Sequence, residues 1–571
     1  MRDNYNIQVI RKRSIIEFIG AVAVIIFISV LLSFLKIRLD LTEDKRYTLS
    51  DPTRKVLSDL KSDVFIQVYL DGEMPIPFKR LKRTVSEMLD EFRIASDNRV
   101  DFTFRNPSEG EDQKQRESMY QSLISKGLNP VNIQAGDQEG GSSQKIVFPG
   151  MIVNYNGIEV PVNFLKNNPS VPAEENLLHS VEGLEYEMIQ TISTLTSDTI
   201  YKIAFLEGHG ELSETEVADI TLNLARFFTI DRGVLEGNPG VLDSYAAVIV
   251  AGPEKEFSES DKFILDQYIM NGGKVMWLVE EVDVNADSLA NGETEALLRP
   301  LNLEDQLFRY GARINPSVIQ DAECVMIRLA VMTGGTRQQF VPAPWFYYPK
   351  LYPSHSHPVT RNINRVKGEY ANFIDTVGLD GRIRKTILLS SSGFARTLSP
   401  PFLISLKDAE TIPDEREFSR SKLPVAVLLE GVFPSAFRNR MTDDLTRDRN
   451  FRTRSESIST KMIIIADGNI IRNEVRQIGS NITPYPLGQD IYTGELYGNR
   501  DFIINCMNYL VDDDGIMELR SRELRLRMLD RSKIRKERIK WQLINVVLPP
   551  VLVIIAGFIF SYFRRRRFTK A

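Results

Sequence analysis

The stretch Tyr201-Lys-Ile-Ala-Phe-Leu-Glu-Gly-His-Gly-Glu211 decides how this chain is organised. Its apolar run, Ile203 to Leu206, is typical of a strand buried on both faces of a parallel sheet. Gly208 and Gly210 end that strand, because glycine lets the backbone turn with positive φ. Thr215 to Phe228 follows with apolar residues at helical spacing. This order predicts the opening of a doubly wound α/β domain, in which ligands bind at such a turn.

Length and composition indicate a globular chain with room for several domains. It has 571 residues, of which 43% are hydrophobic and 26% charged, and this excludes a disordered chain. The net charge of -5 is small, so nothing points to nucleic acid as a partner. Cys324 and Cys506 are the only cysteines, and they form neither a CxxC redox pair nor a cysteine-rich zinc site.

Two apolar runs near the chain ends predict a membrane protein. Residues 15–35 and 543–563 are each long enough to cross about 30 Å of hydrocarbon as a helix. The first run lacks a small-residue cleavage site, so we interpret it as an uncleaved anchor and not as a signal peptide. Pro549-Pro550 is expected to kink the second helix. Two spans place both termini on one side of the membrane and the body of the protein on the other.

The charges around the two spans favour cytoplasmic termini. The tails, residues 1–14 and 564–571, are basic, but the flanks on the inner side of each span are equally basic. The positive-inside rule weighs short tails more than long translocated domains. We therefore predict a two-pass membrane protein with cytoplasmic tails and a large extracytoplasmic domain.

Residues 47–196 are predicted to form a thioredoxin-like domain. The order β-α-β-α-β-β-α, closed by one helix from Glu174 to Leu195, resembles that fold. An Asn-Gly turn signal joins the last two strands, Ile146 to Val153 and Ile158 to Phe164. The loop after the first strand, Asp71 to Pro75, holds no cysteine. Thiol chemistry is therefore excluded at this loop, and we expect an interaction role.

Residues 197–515 are predicted to form the doubly wound, Rossmann-like domain. The strand pattern loosens between residues 283 and 384, which we interpret as an insertion. It resumes with three apolar strands at Thr386 to Ser390, Val425 to Leu429 and Met462 to Ala466.

The segment between this domain and the second apolar run is basic. Residues 516–542 include Arg525, Arg527, Arg535 and Lys536, and the stretch around the first two alternates apolar and basic residues like a strand with one wet face. Such a segment beside a membrane contacts anionic lipid headgroups or an acidic partner surface. A solvated charged linker is the other interpretation, and the sequence leaves these alternatives open.

The candidate ligand site is the turn of five consecutive residues, Glu207, Gly208, His209, Gly210 and Glu211. Its glycines and Ser213 resemble a G-x-G-x-x-G dinucleotide fingerprint whose last glycine is replaced, but the carboxylate before the turn opposes a pyrophosphate. Carboxylate and imidazole groups at this spacing also suit zinc or manganese. The third interpretation, which we favour, is a structural turn whose side chains bind neighbouring backbone or cap the following helix.

No complete catalytic motif occurs elsewhere in the sequence. Gly272-Gly-Lys274 is followed by Val275, so the phosphate-binding G-x-x-x-x-G-K-[ST] is absent and no ATP hydrolysis is expected. His355 and His357 lie in a proline-flanked loop without a neighbouring carboxylate, which disfavours a metal site. The aromatic run Trp345 to Tyr348 is either a stacking platform for a ligand or, more commonly, buried packing. We predict a non-enzymatic protein without metal or cofactor.

Five segments together resemble a known family: Leu206–Glu211 (LEGHGE), Ala426–Ser435 (AVLLEGVFPS), Ala466–Asn473 (ADGNIIRN), Tyr497–Asp501 (YGNRD) and Leu519–Leu524 (LRSREL). They look like the GldG family of gliding-motility-associated ABC transporter accessory (substrate-binding-like) proteins. The resemblance covers nearly the whole chain, including both apolar runs.

The resemblance implies a domain shared with an intraflagellar transport protein, on a Rossmann-like or glutamine-amidotransferase-like core without catalytic residues. It also implies a complex with a multi-span ABC permease and a separate cytoplasmic ATPase in gliding bacteria of the Bacteroidetes type. No ligand site carries over residue by residue. The alternative is a tethered solute- or metal-binding protein, or a hydrolase, that uses the turn from Glu207 to Glu211.

Overall fold

The structure is a computed structural model. It describes residues 16–30 except 17, 21, 25 and 29, together with residues 48–109, 112–136, 142–165, 173–197, 200–238, 240–289, 291–333, 337–378, 381–410, 413–438, 453–478, 481–521 and 531–568. Residues 1–522 form one compact unit and residues 523–571 a second one.

The first part of the larger unit is a mixed α/β arrangement. Its elements are α1 (Asp51–Ser58), β1 (Val64–Val68), α2 (Ile76–Ala95), β2 (Val100–Phe104), α3 (Gln113–Ser125), β3 (Val131–Gly136), β4 (Ser142–Val147), β5 (Gly150–Tyr155), β6 (Ile158–Asn163), α4 (Ala173–Glu182) and α5 (Leu184–Thr196). Four strands form one sheet in the order β2-β1-β5-β6. Strands β1 and β2 are parallel, and β5 is antiparallel to both of its neighbours.

Helix α2 packs on one face of this sheet because its apolar residues recur at helical spacing. Leu81, Val85, Leu89 and Phe92 are all fully buried. They belong to the same core cluster as the alternate residues Val64, Ile66 and Val68 of β1, which point to one face of the strand.

Two predicted elements of this part are each divided in the structure. The strand predicted from Ile146 to Val153 is two strands, because Pro149 separates β4, which pairs with β3 in a sheet of its own, from β5. The closing helix predicted from Glu174 to Leu195 is two helices, α4 and α5, interrupted at Gly183. Glycine weakens a helix interior, so a break there costs little.

The second part of the larger unit contains the remaining strands and helices α6 to α10. The strands are β7 (Lys202–Glu207), β8 (Thr229–Val234), β9 (Ala247–Ala251), β10 (Lys274–Leu278), β11 (Val282–Val284), β12 (Glu293–Leu298), β13 (Ala312–Asn315), β14 (Val318–Asp321), β15 (Cys324–Thr333), β16 (Arg337–Pro353), β17 (Val366–Lys367), β18 (Phe373–Thr376), β19 (Ile383–Ser390), β20 (Ala395–Leu398), β21 (Phe402–Ser405), β22 (Pro424–Gly431), β23 (Thr460–Ile465), β24 (Val475–Ile478) and β25 (Asn481–Pro484). The helices are α6 (Ala218–Leu224), α7 (Glu259–Met270), α8 (Ala286–Leu289), α9 (Glu304–Tyr310) and α10 (Asn499–Val511).

A ten-stranded sheet organises this part, in the order β15-β16-β19-β22-β23-β10-β9-β7-β8 with β17 beside β16. Five neighbours, β8, β7, β9, β10 and β23, run parallel, whereas β22, β19, β16 and β15 continue the sheet antiparallel. The three strands predicted at Thr386, Val425 and Met462 are present as β19, β22 and β23. Helix α6 is shorter than the predicted Thr215 to Phe228, because Ser213 and Glu216 form a turn before it.

One hydrophobic cluster extends through the larger unit. It includes Val64 of β1, Ile189 of α5, Phe205 of β7 and Leu510 of α10, all buried. The predicted boundary near residue 196 therefore lies within a continuous core, and the division into two domains stays a prediction.

The smaller unit contains α11 (Arg531–Phe568), with Pro549 and Pro550 inside it. Its segment Glu537–Phe563 is long and apolar enough to cross a membrane, and its side chains are unburied. This segment contains the predicted second span. The predicted first span, residues 15–35, is described only in part, and the residues described between Ile16 and Val30 are helical and exposed.

We expect Gly431→Ala to lower the free energy of unfolding by at least about 3 kcal/mol. Gly431 has φ +139°, and a Cβ there would lie 2.1 Å from the backbone oxygen of Arg382. Urea unfolding of the full chain in detergent measures the change.

Gly381→Ala is the matched control. Gly381 has φ +64°, and a Cβ there would lie in open space. The free energy of unfolding should therefore fall by only about 1 kcal/mol, the cost of the left-handed backbone conformation for alanine. Equal losses in the two variants would contradict the steric argument at Gly431.

Candidate functional site

The glycine turn lies where the order of the parallel strands reverses. Strand β7 has β8 on one side and β9 on the other, although both follow it in the chain. In open α/β sheets ligands bind in the crevice beyond the carboxyl ends of the strands at such a point. The candidate turn, Glu207 to Glu211, therefore occupies the predicted place in the fold.

The backbone of the turn is held against the loop that follows β9. Gly208 and Gly210 have φ +116° and +76°, which only glycine adopts at little cost. The carbonyl oxygen of His209 accepts hydrogen bonds from the backbone amides of Glu254 at 2.9 Å and Lys255 at 2.7 Å. The turn is thus a fixed connection between two loops.

The His209 side chain lies inside the protein between two carboxylates. Its ring stacks on Phe257, with the centroids 3.7 Å apart and the planes at 8°. Its Nδ1 is 3.1 Å from a carboxylate oxygen of Glu211, and its Nε2 is 3.3 Å from Asp261. Glu211 also accepts a hydrogen bond from the backbone amide of His209 at 2.7 Å. Both ring nitrogens are therefore occupied by the protein itself.

The two carboxylates control the protonation of His209. Burial by itself lowers the pKa of the imidazole, because the charged form loses hydration. The hydrogen bonds and negative charges of Glu211 and Asp261 outweigh burial, and the pKa of His209 is raised above its usual value. In its protonated form the imidazolium stabilises the turn through these two contacts.

Glu207 is directed away from this histidine. It accepts a hydrogen bond from Arg232 Nε at 2.7 Å, and Arg232 Nη2 donates to the backbone oxygen of Leu212 at 2.8 Å. The structure therefore brings His209 and Glu211 together with Asp261 but places Glu207 in a separate ion pair. Asp261 was missed by the sequence interpretation, although the pattern Ser258-x-x-Asp261 is a helix-start signal and Ser258 caps α7.

Two further acids lie at the carboxyl ends of the neighbouring strands. Glu280 follows β10 and pairs with Arg299 at 2.7 Å, and Asp467 follows β23 and is fully buried. Burial raises the pKa of both carboxyl groups. Gly252 and Gly468 pack closely here, because a Cβ on Gly468 would lie 2.9 Å from the Cα of Gly252. The loops that follow β9 and β23 are thus in close backbone contact.

The metal alternative gains no support from this geometry. Within the part of the chain that the structure describes, no group of three or more His, Cys, Asp and Glu residues is placed to hold a metal ion. The alternative that the turn binds a solute stays a prediction.

The remaining candidates from the sequence are either buried in the protein interior or lie outside the described residues. Trp345 and Tyr347 are buried and belong to a core cluster, which agrees with buried packing of the aromatic run. His357 is buried, and its ring meets that of Tyr509 edge to face at 4.9 Å. Arg525 and Arg527 lie outside the described residues.

Two more basic candidates belong to α11. Arg535 and Lys536 lie in the first turns of this helix, and their side chains are not described.

Comparison with known proteins shows that a family profile matches most of the second part of the chain. A profile described as an ABC-type uncharacterized transport system matches residues 201–506, which is more than half of the chain. A profile described only as a domain of unknown function matches residues 43–154.

One relative matches nearly the whole length. It is a protein of Borreliella burgdorferi described as uncharacterized, 19% identical over 552 residues, which are 93% of this chain and 94% of that protein. Among solved structures, the mmIFT52 N-terminal domain aligns with 55% of this chain and 98% of its own length, at 11% identity and a TM-score of 0.31.

We expect His209→Gln to destabilise the protein by roughly 2 to 3 kcal/mol at pH 6, because the buried carboxylate of Glu211 and the partly buried one of Asp261 lose their charged partner. The folded-state pKa is raised, so this stability is fully present below the unfolded value of about 6.5 and is lost as the pH rises through the folded pKa. Melting temperatures of both proteins from pH 5.5 to 9 should therefore converge at high pH. A difference independent of pH would contradict the charged cluster.

His357→Gln should have the opposite pH signature. Burial lowers the pKa of His357 to about 4, so the unfolded chain binds a proton that the folded chain does not. Wild-type stability should fall as the pH is lowered from about 6.5 to 4, and the variant should lose less over this range. Thermal melts over that range test the prediction, and parallel curves for the two proteins would count against it.

Proposed function

This chain belongs to the family described as an ABC-type uncharacterized transport system, and we propose that it is a non-enzymatic auxiliary subunit of such a system. The family match over residues 201–506 is the observation that carries the proposal. The relative in Borreliella burgdorferi supports a common architecture over the whole chain, because the alignment leaves little of either protein uncovered.

The proposed partners are a multi-span ABC permease and a separate cytoplasmic ATPase. The absence of a phosphate-binding motif in the sequence supports this division, because another chain must then hydrolyse ATP. Membrane lipid is a further contact of the basic segment 516–542. Nucleic acid has no part in this proposal.

The proposed localisation is the inner membrane, with two spans, cytoplasmic termini and a periplasmic body. The apolar segment Glu537–Phe563 supports one anchor, and the apolar run at residues 15–35 supports the other. One helix already inserts in effect irreversibly. A second span therefore fits lateral packing on the permease or a fixed orientation of the body.

The proposed folds are a thioredoxin-like domain at residues 47–196 and a Rossmann-like, glutamine-amidotransferase-like domain at residues 197–515 with an insertion at about 283–384. The sheet order β2-β1-β5-β6 and the five parallel strands of the large sheet support these assignments. Neither assignment includes catalytic residues.

The association with gliding motility rests on the five motifs alone, and the auxiliary role does not require it. The tethered solute-binding or hydrolase alternative requires an accessible group at the turn. The occupied ring nitrogens of His209 favour the auxiliary role over this alternative.

The proposal predicts that the full chain, purified from membranes in mild detergent, retains a multi-span permease and an ATPase subunit. Replacing residues 15–35 with a leucine-rich helix of equal length should preserve membrane localisation and reduce co-purification at least about tenfold. Quantitative mass spectrometry measures the ratio. Recovery of the chain without any transporter component would overturn the proposal.

Arg525→Glu combined with Arg527→Glu tests the basic segment separately. We expect weaker co-purification if these residues meet carboxylates of the permease, because like charges repel. Arg565→Glu, in the tail, is the control. Unchanged co-purification in the double variant would assign the basic segment to lipid.

The topology predicts opposite results for two reporter positions. Alkaline phosphatase inserted at the exposed Asn156–Gly157 turn should be active, because the enzyme folds only outside the cytoplasm, and the same enzyme fused after Ala571 should be inactive. Activity only at Ala571 would reverse the orientation.

A further inference from the structure

A polar cleft of about 410 Å³ lies between the two parts of the larger unit. Its walls come from β6 and α5 of the first part and from α6, α10 and the segment around Asn362 of the second. Its volume is within the range of small-molecule sites, roughly 300–1,000 Å³, and such sites prefer boundaries between domains. The glycine turn, residues 207–211, does not line it.

Two helices present stripes of side chains to this cleft. On α5 the stripe is Glu187, Gln190, Thr191, Thr194 and Leu195, and on α10 it is Asp501, Ile504, Asn505 and Asn508. Both follow the three- and four-residue spacing of one helix face. Amide side chains are frequent in the lining, and each amide offers both a donor and an acceptor.

Arg520 is a buried cation in the wall of this cleft, and no carboxylate among the described residues pairs with it. It is 9% exposed and donates to the backbone oxygens of Pro358 and Arg361 and to the side chain of Asn505, at 2.9 to 3.1 Å. These bonds use three of its five N–H groups. Arg500, also in the lining, differs because Asp219 binds it through both oxygens at 2.9 Å. A buried charge is normally paired, so the Arg520 guanidinium is suited to bind an anionic group that enters the cleft.

Three further groups in the lining lack partners among the described residues. The Oδ1 atom of Asn508 is buried and accepts no hydrogen bond. Arg226 and Asp501 are exposed, and neither forms an ion pair. Besides Glu187 and the paired Arg500, the cleft therefore offers a ligand the cations Arg226 and Arg520, the carboxylate of Asp501 and the buried acceptor Asn508 Oδ1.

We propose that this cleft binds a short peptide with free ends, of two or three residues. Arg520 receives the terminal carboxylate, because a guanidinium fork matches two carboxylate oxygens. Asp501 receives the terminal ammonium group. The amide side chains pair with the peptide N–H and C=O groups, and Asn508 Oδ1 accepts from one of these N–H groups.

A peptide fits this lining better than a sugar does. Sugar rings bind best on free aromatic faces, and two of the three aromatic rings in this lining are covered by cations. Arg520 lies over the ring of Tyr186 at 5.1 Å and Lys350 over that of Tyr497 at 5.5 Å, whereas the third ring is Phe227. Two of the motifs quoted above, Tyr497–Asp501 and Leu519–Leu524, contribute residues to the cleft. The inference does not depend on the auxiliary role.

Isothermal titration of the full-length protein in detergent tests the proposal with tri-alanine, its N-acetyl form, its C-terminal amide and maltose. Tri-alanine should bind, and the amide and the N-acetyl form should each bind at least about tenfold more weakly, because each loses a charge-assisted contact. Absence of tri-alanine binding, equal binding of all three peptides, or binding of maltose alone would overturn the proposal.

Single-residue variants distinguish the loss of peptide recognition from a loss of folding. Asp501→Asn should weaken the binding of tri-alanine and leave the binding of its N-acetyl form unchanged. Arg520→Met should weaken the binding of tri-alanine and leave the binding of its C-terminal amide unchanged. Asn508→Leu should weaken the binding of every peptide, because it removes the buried acceptor Oδ1, and it also removes the donor Nδ2 that contacts Tyr186 Oη at 3.4 Å. Arg309→Ala, which removes an exposed arginine outside the lining, is the control and should leave the binding of every peptide unchanged. If Arg520→Met fails to fold, Asp501→Asn decides, and equal loss for both peptides there would overturn the assignment.

Discussion

The burial of four adjacent parallel strands, β7, β9, β10 and β23, is the constraint on which the second part of the protein depends. All five residues of β9 are buried, and the neighbouring strands are buried at nearly every position. Side chains on both faces of such strands must be apolar, so helices cover both faces of the sheet. The carboxyl ends of the strands then meet at one edge.

That edge explains the chemistry of the glycine turn. Polar residues that follow the strands converge there, and Glu280 and Asp467 are buried with raised pKa values. Burying an acid costs free energy unless it is neutral or bonded. His209, Arg232 and Arg299 offset this cost by pairing with the acids nearest to them. The pairing is incomplete, because Glu280 Oε2 and Arg232 Nη1 are buried and have no hydrogen-bond partner among the described residues.

The polar cleft has a different physical origin. Helices α5 and α10 each bury an apolar face in the common core, through residues such as Ile189 and Leu510. Their other faces are left beside the cleft, where polar groups can remain hydrated. Arg520 and Asn508 are nevertheless buried there without complete partners, and incomplete satisfaction of buried polar groups is a feature of binding sites.

The sequence by itself determined the mixed α/β class, the apolar C-terminal segment and the position of the glycine turn. These features are local, because a run of apolar residues or a glycine pair fixes a strand, a span or a turn over a few residues. It did not determine that Pro149 and Gly183 divide two elements. Nor did it show that Asp261, 52 residues after His209, completes the cluster. Arg520 and Asn508 meet the α5 stripe only in the fold, because contacts between residues distant in sequence are set by packing and not by local spacing.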